Sequence, residues 1–316
     1  MINREIIRTK IVQLTYAYYQ NGSKDINAAE KELFFSLSKA YELYHALLAL
    51  IVAITREGRK YIEVATAKAE REGTEKPSAK FVDNRFALQL ESNKELMDTL
   101  STQGNMWDNE TEFVKKLYLQ ITDSATYKDY MASEDEGYAS DREMWRKLYK
   151  SMITDNEDLD ALLEEHSIYW NDDKDVVDTF VLKTIKRFTE NNGEKQELLP
   201  EFDNDEDAEY ARRLFRATIL NANEYQRFMS EASRNWDFNR LAYMDVVIMQ
   251  IAIAEMMTFP TIPISVSINE FVEIAKQYST PRSYGYINGM LDTIARHLVK
   301  TGKLLKHIDE PHAGKN

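Results

Sequence analysis

Apolar residues return every three or four positions through most of this chain, and that spacing commits it to helices packed on one another. From Arg4 to Tyr19, Ile7, Ile11, Leu14 and Tyr18 form one stripe. A longer pattern runs from about Ala28 to Glu70, densest through Tyr44, Leu47, Leu48 and Ile51, until Gly73 and Pro77 break it. Further helical patterns follow in "NRFALQLESNKELMDTL", "ETEFVKKLYLQI", "DREMWRKLYKSMI" and "DVVDTFVLKTIKRFTE", and "NNGEKQELLPEFDNDEDA" reads as an acidic connector. Ten Gly and six Pro in 316 residues are too few for the frequent turns of a sandwich or barrel. Only the short "IPISVSI" alternates as a strand does. The expected class is all-α.

The C-terminal third is punctuated most clearly. Arg240 to Met257 is apolar around most of its circumference, as a helix at the centre of a bundle must be, and "FPTIP" ends it. Ser267 stands three residues before Glu270, a capping box that predicts a helix opening at "INEFVEIAKQY". Thr280 is expected to cap the last helix, with Pro281 at its first position. "SYGYINGMLD" holds two glycines and an Asn-Gly pair, yet Ile287, Leu291, Ile294 and Leu298 carry a helical face through it. A glycine inside a helix costs about 1 kcal/mol against alanine, so Gly289 predicts close approach by a neighbouring helix. Asn288 is expected to hydrogen-bond the end of a neighbouring helix.

Composition removes several function classes. There is no cysteine, hence no disulfide, thiolate nucleophile or Cys-based zinc site. No glycine-rich dinucleotide turn, phosphate loop or His-Glu-x-x-His occurs, and neither metal nor cofactor is expected. Glu42 and His45 have the Glu-x-x-His spacing of di-iron bundles, but no second such motif accompanies them. The run from Ala46 to Ile54 is half the length of a membrane span, and the opening "MINREIIRTKIVQ" is unlike a secretory signal, so a cytoplasmic protein with no membrane partner is expected. Net charge is −13, yet the acidic residues crowd the middle. Arg4, Arg8 and Lys10 lie near one end, and Arg282, Arg296, Lys300, Lys303 and Lys306 near the other.

The pieces "MDVVIMQIAIAEM", "ISVSINEFVEIAKQYS" and "SYGYINGMLDTIARHL" resemble, in order and spacing, the C-terminal half of the NusB family of bacterial transcription antitermination proteins. Ala252 to Met256 stands for the family's Ala-x-x-Glu-Leu, and Pro263, Val266, Ile268, Asn269 and Glu270 for its Pro-x-x-Val-x-Ile-Asn-Glu. Ala275 and Lys276 follow, then Ser283, Tyr286, Ile287, Asn288, Gly289, Met290, Leu291 and Asp292. The opening helix is similar through Arg4, Arg8, Val12, Gln13 and Tyr16, and "EYARRLFRATI" resembles the helix at which the family pattern resumes. The chain is about twice the family's usual length. The domains are therefore expected at 1–55 with 205–316, a split NusB-like part, and at 56–204, an acidic helical insertion.

The resemblance implies a non-enzymatic fold of two helical bundles. It implies pairing with the ribosomal protein NusE, binding of boxA-type single-stranded RNA in ribosomal RNA transcripts, and service in an RNA polymerase antitermination complex. It also admits a homodimer. Phosphates call for basic groups and unstacked bases for aromatic rings. The RNA-binding candidates are accordingly Arg4, Arg8, Lys10, Tyr210, Arg212, Arg282, Tyr284 and Tyr286, while Ser267, Asn269, Glu270, Asn288 and Gly289 are structural motif residues. Each has a plainer reading as a solvated basic face or a packed ring. The alternatives for the whole chain are a NusB-like protein-interaction scaffold and an accessory RNA-binding module without boxA specificity. The insertion has its own alternatives: an inert surface, a repellent of nonspecific nucleic acid, or a dock for a basic protein.

Overall fold

A computed structural model describes residues 1–22, 24–233 and 241–306. Among them the chain is helical, with one isolated bridge, Ile2 to Phe202, and no strand. It divides into two compact units, residues 38–201 with Met1, and residues 2–37 with 202–316.

Helix α1 (Arg4–Gln20) opens the second of these units, capped by the Asn3 side chain on the Ile6 N–H. Helix α2 (Ile26–Glu72) gives its first turns to the same unit and the rest to the other. It is the one described helix long and apolar enough to cross a membrane, and 72% of its apolar window is buried. The 38–201 unit continues with α3 (Arg85–Glu91), α4 (Lys94–Gln103), α5 (Thr111–Asp123), α6 (Ala125–Ala132), α7 (Tyr138–Leu148), α8 (Glu157–His166) and α9 (Lys174–Arg187). Its core sets Tyr44, Leu47, Leu48 and Ile51 of α2 among Phe81, Phe86, Trp145, Val181 and Phe188, all buried. Gly58 is there because α2 passes close to aromatic rings. A Cβ on it would stand 2.9 Å from Tyr118 and 3.2 Å from Phe81. Lys174 ion-pairs with Asp178 at 2.9 Å, and Asp178 accepts from the Tyr149 hydroxyl at 2.6 Å, so these buried polar groups satisfy one another.

The second unit resumes with α10 (Asp205–Leu220), α11 (Ala222–Ala232), α12 (Tyr243–Thr258), α13 (Ile264–Tyr278) and α14 (Ser283–Lys300). Helix α12 is buried from Val247 to Met256 without a break, as its continuous apolar sequence predicts for a central helix. It packs against α1, α10, α11, α13 and α14. Arg240, placed at the start of this helix by sequence, lies outside the described residues.

Several local expectations are corrected. Helix α13 begins at Ile264, so "IPISVSI" is helix from Ile264 onward and contains no strand, and Ser267 is an interior residue with a buried side chain rather than a cap. The spacing Ser-x-x-Glu is met equally well one turn inside a helix. Helix α14 begins at Ser283, with Arg282 at its cap position, so Thr280 and Pro281 precede it. No atom of a neighbouring element lies within 4 Å of a Cβ built on Gly289, and Asn288 is exposed with no side-chain hydrogen bond among the described residues. The predicted helix-to-helix approach at this Asn-Gly pair is absent. The face Ile287, Leu291, Ile294 and Leu298 is buried as read.

Candidate nucleic-acid interface

The basic residues of α1 divide by depth. Arg8 is 4% exposed; its Nε donates to Glu255 at 2.7 Å and its Nη1 to Glu270 at 2.8 Å. The Tyr210 hydroxyl also donates to Glu255, so helices α1, α10 and α12 meet at that carboxylate, and Arg8 ties in α13 through Glu270. Burial by itself lowers the pKa of the Arg8 guanidinium, but Tyr210, Glu255 and Glu270 outweigh it and the net shift is upward. Burial first, and the neighbouring Glu255 second, hold the Tyr210 phenol well above its ordinary range. Lys10 is 1% exposed. Arg8 and Tyr210, read from sequence as RNA contacts, are therefore interior residues that tie helices together, and Lys10, read the same way, is buried as well. Glu270 is a partner of Arg8 rather than a cap.

Arg4 sits at the edge of the same network, 3.3 Å from Asp207 and 4.9 Å above the Tyr210 ring, with 41% of its side chain exposed. Arg212 is exposed but paired with Glu30 and Glu209 and laid over Phe34. Arg216 shares Glu30. These arginines have carboxylate partners that a phosphate must displace.

A different character appears at the other end of α12. There α13 ends and α14 begins, and the C-terminal half of α1 lies alongside. Tyr16 and Tyr243 meet edge to face at 5.6 Å, Tyr19 stands 6.4 Å from Tyr243, and Tyr18 packs on Tyr19. Gln13 donates to the Tyr278 hydroxyl at 2.8 Å, Gln250 donates to the Tyr19 hydroxyl, and Ser279 donates to Asp245. Asp245 also faces Tyr286, whose phenol is raised by burial and then by that carboxylate. Arg282 and Tyr284 stand at the start of α14, with Tyr284 38% exposed and Lys276, itself paired with Glu273 at 2.6 Å, 6.0 Å above its ring. Tyr243 is 43% exposed.

So the structure brings together Arg282, Tyr284 and Tyr286, and sets Arg4, Arg8 and Tyr210 apart from them. Asp245 and Glu255 mark the two clusters along α12, and ten residues of helix span about 15 Å. Sequence reasoning missed the half-exposed ring group of Tyr16, Tyr19 and Tyr243. Its signal was the aromatic run "TYAYYQ" at the end of α1, which stripe counting treats as packing. No group of three or more metal-ligating side chains occurs among the described residues.

An all-helical unit with a central apolar helix, one end rich in exposed tyrosine and cationic side chains, and no clustered metal ligands has the makings of a binding module. Comparison with known proteins agrees with the sequence. The NusB family model matches residues 179–296. The chain is 32% identical over 132 residues to the transcription antitermination protein NusB of Salinibacter ruber, which covers 40% of this chain and 82% of the relative. The NusB of Geobacter sp. strain M21 is 32% identical over 122 residues, 39% of this chain and 83% of that protein. That of Natranaerobius thermophilus is 40% identical over 92 residues, 29% of this chain and 66% of that protein. No solved structure matches significantly. The chain belongs to the NusB family.

Proposed function

We propose that this protein is a non-enzymatic RNA-binding factor of transcription antitermination, and that single-stranded RNA meets it at the tyrosine-rich end of α12. Family membership supports the general role. The observation that carries the location is the grouping of Tyr16, Tyr243 and Tyr284, partly exposed, with Arg282 and Lys276. Aromatic faces stack on unstacked bases, and each ring contributes about 1–3 kcal/mol to binding, while arginine and lysine hold the backbone. Arg4 and Arg212 extend the track along the bundle once their carboxylate partners give way. The finer reading, boxA-type RNA bound together with NusE in ribosomal RNA transcripts, rests on the family resemblance.

The test is affinity for a boxA RNA and a scrambled control, with and without NusE, across a salt series. The proposal expects preference for boxA, tighter binding with NusE, and log K falling with log salt by about 0.7 per phosphate contacted. Binding of NusE with no RNA affinity at any salt would leave a protein-interaction scaffold instead.

A further inference from the structure

Three Asn-Gly pairs occur in this chain, Asn21-Gly22, Asn192-Gly193 and Asn288-Gly289. Such a pair is self-reactive, because glycine has no side chain to shield its amide from the asparagine carbonyl beside it. The glycine nitrogen attacks the asparagine Cγ, a new N–C bond forms, and the Cγ–Nδ2 bond breaks. The side-chain nitrogen leaves as ammonia, carrying the proton that the glycine nitrogen gives up. Water then opens the succinimide ring at either carbonyl and leaves aspartate or isoaspartate. Ring closure needs rotation about the Cα–C bond of the asparagine, so the backbone around each pair decides how fast it reacts.

The fold treats the three pairs differently. All three asparagines are exposed, and no neighbouring atom lies within 4 Å of a Cβ built on any of the three glycines, so access does not separate them. Restraint does. Asn288 and Gly289 are interior to α14, and turning the backbone there breaks the hydrogen-bond ladder on both sides. Asn192 is pinned in a tight turn. Its N–H donates to the Thr189 carbonyl at 3.2 Å and its Nδ2 to Gln196 at 2.9 Å, while the Gly193 carbonyl accepts from Gln89 at 2.9 Å. Asn21 follows the last residue of α1, and its side chain makes no hydrogen bond among the described residues. Turning it breaks one terminal bond, from the Gly22 N–H to the Tyr19 carbonyl at 3.1 Å, and Gly22, at φ +61°, has already left the helix. We propose that Asn21-Gly22 is a site of spontaneous deamidation, and that the fold protects the other two pairs.

The product sets a carboxylate three residues after Tyr18 and two after Tyr19, at the end of α1 where the helix dipole disfavours negative charge. Its consequence for RNA rests on the function proposed above. A negative charge beside the ring group repels phosphates, which weakens RNA about twofold at low salt and fades as salt rises.

The test incubates the full chain in mildly alkaline buffer and follows each pair by peptide mass mapping, with enzymatic methylation to mark isoaspartate. A portion unfolded in guanidinium chloride gives the rate of each pair without the fold. Asn21 in the folded chain should react within about threefold of its unfolded rate, and Asn192 and Asn288 at least about tenfold below theirs. Asn21→Gln should abolish the isoaspartate signal from this peptide. Asn21→Asp, a stand-in for the product, should speed hydrogen exchange in the last turn of α1 about two- to fivefold. The proposal is overturned if Asn21 is as protected as Asn288 in the folded chain, or if Asn192 and Asn288 react as fast folded as unfolded. Unchanged RNA affinity of Asn21→Asp at low salt refutes the effect on RNA. A parent chain that binds no RNA refutes the function proposed above, while the peptide map still decides the deamidation site.

Discussion

Replacing Arg8 with methionine separates a structural arginine from an RNA-binding one. The substitution keeps most of the aliphatic stem and removes the charge, leaving Glu255, at 0% exposure, with the Tyr210 hydroxyl as its hydrogen-bond donor among the described residues. Removing one partner of a buried ion pair costs about 3–5 kcal/mol, because the remaining charge stays desolvated. The Glu270 contact adds under about 1 kcal/mol, since that carboxylate is 41% exposed. Tyr210 keeps one hydrogen bond on Glu255, which places the loss near the lower end, about 3 kcal/mol. For a unit of this size that lowers the melting temperature by about 6–12 °C. The double variant Arg8→Met with Glu255→Gln should recover most of the loss, because the neutral amide oxygen still accepts from Tyr210. Denaturant titration by circular dichroism, with hydrogen exchange read on α1 and α12, measures both. RNA affinity of Arg8→Met, taken well below its melting temperature, should equal that of the parent. A midpoint within about 0.5 kcal/mol of the parent, together with a large loss of RNA affinity, would refute the reasoning and return Arg8 to the RNA surface.

Three other outcomes follow from the same geometry. Burial pushes the His45 imidazole down to about 4, opposed in part by the Tyr41 carbonyl, so its neutral form stabilises the fold above pH 6.5. Stability should fall by about 3 kcal/mol as the pH drops from 6.5 through 4, and His45→Gln should flatten that dependence in denaturant titrations. Gly289→Ala should raise stability by about 0.5–1 kcal/mol, since open space surrounds its Cβ position, whereas Gly58→Ala should lower it by about 1–2 kcal/mol by crowding Tyr118 and Phe81; paired melting curves decide. Tyr243→Ala and Arg282→Ala should each weaken RNA, with only the arginine variant reducing the salt slope, by about 0.7.

The helices themselves were legible, because burial at Ile7 and Ile11, or at Ile287, Leu291, Ile294 and Leu298, follows from spacing within one segment. The depth of Arg8 was not. Its partner Glu255 is 247 positions away, and nothing local distinguishes an arginine that snorkels from one that is caged. Tyr210 misled for the same reason, since its acceptor is that same carboxylate. The Ser267–Glu270 pair misled differently, by satisfying a local rule one turn inside a helix that had already begun at Ile264. Gly289 shows the opposite failure. Its helical cost was read correctly, and the compensation was assigned to packing that the fold does not supply. The ring group of Tyr16 and Tyr243 joins residues 227 positions apart, so it exists only once α1 lies on α12.

The location of the RNA is the central claim, and photo-crosslinking of a 4-thiouridine-substituted boxA RNA, in the presence of NusE and mapped by mass spectrometry, tests it most directly. The account predicts crosslinks at Tyr16, Tyr243 or Tyr284, and their loss in the corresponding alanine variants. Crosslinks confined to residues 38–201, or to the Arg4 and Arg212 surface with none at the tyrosine end, would contradict it.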